Sequence, residues 1–162
     1  MTGAAESVTA ATAMDTEAST TDGTSGTGPS LAAASLEDAS AFLRVAGLVF
    51  DEITADRVTG HLQLGPEHHT PWGIVHGGVY TTAVESAASV GASHAVRDKG
   101  QVAVGLTNTT HFLRSLTAGP VNVEATALSQ GRTQQLWRVD ITDESGRLIA
   151  HGEVRLQNIA GS

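Results

Sequence analysis

Cysteine is absent from this chain, which excludes disulfide frameworks, cysteine-ligated zinc, iron–sulfur clusters and thiol catalysis. Basic residues are scarce: nine Lys and Arg stand against 17 Asp and Glu, a formal charge of −8. Coating a nucleic acid requires clustered cations to neutralise phosphates, so that class of partner is not expected. No apolar run approaches the length that spans a bilayer, and a membrane partner is not expected either. Aromatic side chains make up only 4%. What the 162 residues do provide is enough chain to bury a core without disulfides or a structural metal.

Composition divides the chain. Of the first 35 residues, 26 are Ala, Thr, Ser or Gly, four are acidic (Glu6, Asp15, Glu17, Asp22), and none is Lys, Arg or aromatic. Too little apolar surface is present there to offset the entropy of ordering, so residues 1–35 are expected to form a disordered tail. With no basic start and no apolar run it does not read as a secretory signal, and a cytoplasmic location is expected. Residues 36–162 read as one domain, carrying 13 acidic and nine basic side chains.

Within that domain, Ser35-Leu-Glu-Asp38 has the form of a helix start, and Ala39, Phe42, Leu43 and Ala46 follow at helical spacing toward Gly47. Alternating apolar and polar residues over 48–53 and 58–64, about a polar bend at Asp56-Arg57, predict a hairpin. A His-rich loop around His68 and His69 leads into Val75-His76-Gly77-Gly78. Residues 79–96 then lack proline and are dominated by Ala, Ser, Val and Thr, which predicts a helix packed on all sides. Period-two alternation predicts strands over 102–112, 121–129, 134–142 and 148–157. Their short links favour antiparallel neighbours, hence an α+β domain of one buried helix followed by a meander.

Glu85 is the only acid on the long helix. A carboxylate among small apolar residues either is a structural Glu paired with an Arg at a subunit contact or lines a functional cavity. Thr81, Glu85, Ser89 and Ser93 are spaced four apart and form one polar stripe. Gly77 and Gly78 fall where this helix should begin, so bare N–H groups at the positive end of its dipole could receive a ligand oxygen. A single such donor aimed at developing negative charge contributes about 2.7–4 kcal/mol to transition-state stabilisation. Seven or eight residues separate these glycines from Glu85, about 10 Å along a helix axis. One molecule spans that gap poorly, whereas a dimer pairing two such helices closes it.

Pro71-Trp-Gly-Ile-Val-His-Gly-Gly78, followed after six residues by Glu85, resembles the signature of the hotdog-fold acyl-CoA thioesterases of the PaaI-like group. The resemblance continues through Val104-Gly-Leu-Thr-Asn108, Phe112-Leu-Arg114, Gly131-Arg132, Trp137 and Asp140 to Arg147, covering roughly residues 40–158. It implies a hotdog fold, an antiparallel sheet wrapped around the long central helix, with protomers joined sheet edge to sheet edge as a homodimer at least and as a dimer of dimers. It implies Glu85 as nucleophile or general base, the Gly77 N–H as oxyanion donor, His76 as an orienting group for the thioester and Ser89 as the hydroxyl that holds water or the carboxylate. Two positions depart from the pattern. Thr70 stands where many relatives carry Gln or Asn, and Ser115 where Pro often follows the Phe-Leu-Arg block.

Thr70, Gly78, Thr81, His111, Arg114 and Arg132 complete the candidate set as substrate-binding residues. For His111, a strand side chain facing solvent is the alternative; for Arg114 and Arg132, which could grip phosphates through their forked guanidinium groups, it is a solvated surface charge. Trp72, Tyr80 and Phe112 could wall the acyl pocket or simply pack. The histidines lack an acidic partner at metal spacing, so neither a metal nor an organic cofactor is expected. The leading expectation is hydrolysis of an acyl-CoA to a carboxylic acid and free CoA. Two competitors are a hotdog hydratase or dehydratase acting on acyl thioesters, and a non-catalytic acyl-CoA binding module.

Overall fold

The computed structural model describes residues 40–161. The expected tail, residues 1–35, lies outside these, as do Ser35 and Asp38 of the expected helix start. The short helix itself is present as α1, Ala41–Ala46, capped by the Ser40 hydroxyl, which accepts the Leu43 N–H at 3.4 Å. It ends at Gly47, whose left-handed φ of 75° suits a residue without Cβ.

Six strands follow the sequence alternation closely: β1 Val49–Ile53, β2 Arg57–Leu64, β3 Gln101–Phe112, β4 Gly119–Gln130, β5 Gln134–Asp143 and β6 Leu148–Ala160. All pair antiparallel in one sheet. The long helix, α2, spans Gly77–Val96, two residues more at its start than expected, and packs against all six strands. This is the hotdog arrangement.

Strand order corrects the expected meander. The sheet runs β1-β2-β4-β5-β6-β3, so β4, β5 and β6 do form a meander, but β3 lies beside β6 and not beside β4. The reason lies in the link between β3 and β4. The Leu113 and Arg114 N–H groups both bond to the Ile149 carbonyl, and the Leu116 carbonyl accepts the Val75 N–H at 2.8 Å. Those backbone groups are used on β6 and on the loop before α2, so the chain crosses to β2 instead of turning back on itself.

The core lies between α2 and the inward residues of the sheet, with Trp137, Val139, Ile141, Ile149, Val154 and Leu156 fully buried. Gly91 lets Trp137 approach, since a Cβ there would sit 2.5 Å from the indole. The indole N–H donates to Gln135 Oε1 at 3.0 Å, and Gln135 Nε2 donates to the Ala92 carbonyl and to Asn158 Oδ1, both at 2.9 Å. Each polar atom of this interior network therefore gains a partner, as burial demands.

Contrary to the expected all-round packing, α2 buries one face only. Tyr80, Ala83, Val84, Ala87, Ala88, Gly91 and Ala92 are inside, while Gly78 is exposed and Thr82, Glu85, Ser86 and Ser89 are partly so. On the more open side, small residues face α1 and the groove beside it. Among the described residues, no helix is long and apolar enough to cross a membrane.

Candidate active site

Glu85 sits halfway along α2 with its carboxylate turned toward β3. Asn108 Nδ2 donates to Glu85 Oε2 at 2.9 Å and to the Thr81 carbonyl at 3.3 Å. The Ser89 hydroxyl donates to Oε1 at 3.4 Å, a longer and weaker contact. Opposite Oε1 lies Gly105, where an added Cβ would collide with that oxygen. A bulge between Gly105 and Thr107 locally shifts the β3–β6 register here. Among the described residues no cation pairs with Glu85. A partly exposed carboxylate held by neutral donors is within reach of a ligand on the open face of α2, as a nucleophile or base must be.

At the start of α2, His76 occupies the N-cap, and its Nδ1 accepts the Gly78 N–H at 2.8 Å. That bond requires a lone pair on Nδ1, which in the neutral ring leaves the proton on Nε2, free to donate outward. The Gly77 N–H has no acceptor among the described residues. Of the two glycines, only Gly77 thus offers a bare donor at the positive end of the helix. Space beside it is fixed by Phe112, since a Cβ on Gly77 would lie 2.8 Å from the phenyl ring.

The preceding loop is braced by its own side chains. His68 is buried, accepting the Gly65 N–H on Nδ1 at 3.1 Å and donating from Nε2 to the Val45 carbonyl at 2.9 Å, which ties α1 to the loop. His69 Nε2 bonds to the Thr117 carbonyl. The Thr70 hydroxyl accepts the Trp72 N–H at 3.3 Å within a turn. Here the hydroxyl shapes the loop.

The other candidates are spread out. Thr81 donates its hydroxyl to the Gly77 carbonyl at 3.3 Å, so its side chain belongs to the helix's first turns. His111 points to the face of the sheet away from α2, where its ring stacks on His151 at 6.4 Å and 7°, and His151 bonds Asp140 at 2.7 Å. Strand alternation accounts for this: Asn108, Thr110 and Phe112 take the helix side of β3, and His111 takes the other. Arg114 is exposed two residues past Phe112, near the start of α2. Arg132 is exposed in the β4–β5 turn, where the Gln135 and Asn158 network meets the last turns of α2. One protomer therefore does not bring the two arginines together.

A groove of about 520 Å³ runs between α1 and the start of α2, with Phe42 and Val45 on one side and His76, Gly78, Thr81 and Thr82 on the other. Phe42 is 66% exposed and Val45 59%, so this apolar wall is open to a ligand. Trp72, at 83% exposure, lies outside the core altogether, while Tyr80 is buried with its ring 6.4 Å from that of Phe112. Burial pushes the Tyr80 phenol above its ordinary pKa. Sequence reasoning assigned no role to Asn108 or Gly105. The available signal was a polar residue at a helix-facing strand position opposite the only helix carboxylate.

Comparison with known proteins agrees with this geometry. The model of the family described as the thioesterase superfamily matches residues 73–150. Rv1847 of Mycobacterium tuberculosis, which is named as an esterase with no substrate, is 43% identical over 115 residues, covering 70% of this chain and 82% of that protein. Its solved structure superposes with a TM-score of 0.72, covering 75% of this chain and 98% of the other. A 1,4-dihydroxy-2-naphthoyl-CoA hydrolase from Listeria monocytogenes is 31% identical, covering 64% of this chain and 83% of its own. The proofreading thioesterase EntH of Klebsiella pneumoniae is 30% identical, covering 62% and 73% respectively.

Proposed function

The chain belongs to the thioesterase superfamily and is a thioester hydrolase, and from that premise we propose that it is an acyl-CoA thioesterase of the PaaI-like group with Glu85 as its nucleophile or general base. The observation that carries this reading is the Glu85 carboxylate, held by Asn108 and Ser89 with no cation beside it, on the same helix whose first N–H, that of Gly77, is unclaimed. Glu85 attacks the thioester carbonyl or takes a proton from the water that does. The Gly77 N–H receives the oxyanion, His76 orients the thioester through its outward Nε2–H, and Ser89 holds water or the carboxylate. These groups supply a base, an oxyanion donor and a water site, so the proposed reaction uses no metal or organic cofactor. The hydratase and non-catalytic readings give way to the thioesterase family.

Two helical turns separate Gly77 from Glu85 within a protomer, so the proposed site is shared. Among the described residues β3 pairs only with β6 and its other edge is open, with Leu106 and Phe112 on it and Leu113 just after it about half exposed. Joining two such edges places the open faces of two α2 helices against each other and brings Gly77 of one protomer toward Glu85 of its partner. The assembly proposed is this homodimer, with two dimers forming a tetramer, in the cytoplasm. The acyl group would lie in the groove beside Phe42 and Val45, and Arg114 is the phosphate anchor nearer the start of α2. Residues 36–162 are the proposed catalytic domain, and removing residues 1–35 is expected to leave turnover unchanged.

The test is a panel of aryl- and alkyl-CoA thioesters assayed by release of free thiol. Wild-type protein is expected to hydrolyse part of the panel, and Glu85→Gln to lose turnover by orders of magnitude with its melting temperature retained. Undiminished turnover in Glu85→Gln would overturn the mechanism.

A further inference from the structure

Glu85 does not hold its own position. The side chain could adopt several staggered rotamers on an open helix face, and three features of β3 restrict it. Asn108 Nδ2 spans two acceptors, Glu85 Oε2 at 2.9 Å and the Thr81 carbonyl at 3.3 Å. The Thr110 hydroxyl donates to Asn108 Oδ1 at 2.7 Å, so the amide is fixed from behind. Gly105 leaves the space that Oε1 occupies. An ionised carboxylate and a backbone carbonyl can only accept, so the amide edge facing them must be the NH2, and its orientation follows from the network.

Resting on the reading of Glu85 given above, we infer that Asn108 is the positioning residue of the hydrolysis, the amide through which β3 sets the rotamer of the Glu85 carboxylate. Its neutral N–H holds the carboxylate in place without supplying a counter-ion that would blunt the attack. Asn108 does not touch the reacting carbonyl; it acts through Glu85. The groups around the carboxylate are Thr81 and Ser89 from α2 and Gly105 and Asn108 from β3. None of these four carries a titratable side chain; in the shared site proposed above, His76 is the other titratable group brought toward Glu85.

The experiment compares Asn108→Ala, Asn108→Asp, Thr110→Val and Glu85→Gln in the full chain, on whichever acyl-CoA of the panel is turned over fastest. Loss of a hydrogen bond to a charged group predicts a fall in kcat of about 10–100-fold for Asn108→Ala, with KM changed by less than about threefold. The acid limb of kcat/KM is expected to move to higher pH by about one unit in Asn108→Ala, and further in Asn108→Asp, where two carboxylates share the site. Thr110→Val, which leaves the amide in place but frees its far side, is expected to show a smaller fall with the limb moved in the same direction. It serves as the reporter should either Asn108 variant fail to fold. A folded Asn108→Ala with unchanged kcat and an unmoved limb would overturn the inference. If Glu85→Gln is inactive in that same comparison, the reading of Glu85 stands and only the role of Asn108 falls. If Glu85→Gln retains turnover, the reading itself falls and the inference with it.

Discussion

The His76 imidazole accepts the Gly78 N–H at 2.8 Å, while the neighbouring Gly77 N–H has no acceptor among the described residues. One side chain thus closes the second donor of the glycine pair and leaves the first open. His76→Ala removes the cap and the outward Nε2–H together, whereas His76→Asn restores a capping oxygen only. Losing the cap is expected to cost about 1 kcal/mol. His76→Asn should recover the melting temperature of wild type but not its kcat, and recovery of both would show that His76 serves only as a cap.

Gly77 owes its identity to Phe112 as much as to its backbone. A Cβ at Gly77 would lie 2.8 Å from the phenyl ring, so Gly77→Ala displaces either the ring or the N–H aimed at the oxyanion. A displacement of about 1 Å can reduce rate by about 100-fold. Gly77→Ala with Phe112→Ala relieves the collision, and the double variant should recover at least part of the kcat lost by Gly77→Ala alone. Kinetics of the four combinations, wild type included, give the coupling directly.

Phe42 forms the outer wall of the groove beside His76 and Gly78. If the acyl group occupies that groove, Phe42→Ala enlarges it and the ratio of kcat/KM between long and short acyl chains should rise by about tenfold or more, as expected for a few methylenes of pocket. An unchanged ratio across the panel would place the acyl group elsewhere.

Asp143 closes the turn between β5 and β6. Its carboxylate accepts the Ser145 hydroxyl at 2.7 Å and the Ser145 N–H at 3.0 Å, and it pairs with the Arg147 guanidinium. The Ser145 hydroxyl bond first, and the Arg147 bond next, hold its pKa well below the usual carboxylate range. A depressed folded-state pKa contributes stability at every pH above the unfolded value, about 4, and that contribution is lost as pH falls below it. Asp143→Asn is therefore expected to melt below wild type at pH 7, with the gap shrinking from about pH 4 downward. A gap of constant size from pH 7 to pH 3 would contradict this.

The strands were legible in the sequence because one face of each is buried, so alternation survives in β2, β4, β5 and β6. Gly47 marked the end of α1, and the resemblance around His76-Gly77-Gly78 and Glu85 located the two halves of the candidate site. Neighbour order was not legible. The link after Phe112 leads to Gly119-Pro120 and reads as a turn, but its direction depends on bonds to Val75 and Ile149 that no local pattern encodes. Asn108 and His111 are three residues apart on one strand, and period-two alternation sends them to opposite faces. The bulge between Gly105 and Thr107 makes that facing hard to count from the sequence alone. The open face of α2 was misread because small residues indicate close packing without saying whether the partner belongs to the same chain.

The place of β3 at the end of the strand order also governs when the site can come into being. Gly105 pairs with Leu156, Asn108 with Val154 and Thr110 with Gly152, so the strand that grips Glu85 is anchored by residues more than forty positions later. Closing so long a loop is entropically slow compared with forming a local hairpin. During synthesis, α2 and β3 leave the ribosome well before β6, and the carboxylate waits in water until the final strand arrives. A lesion that loosens β6 therefore also loosens the strand that holds Glu85, and is expected to be felt as lost activity.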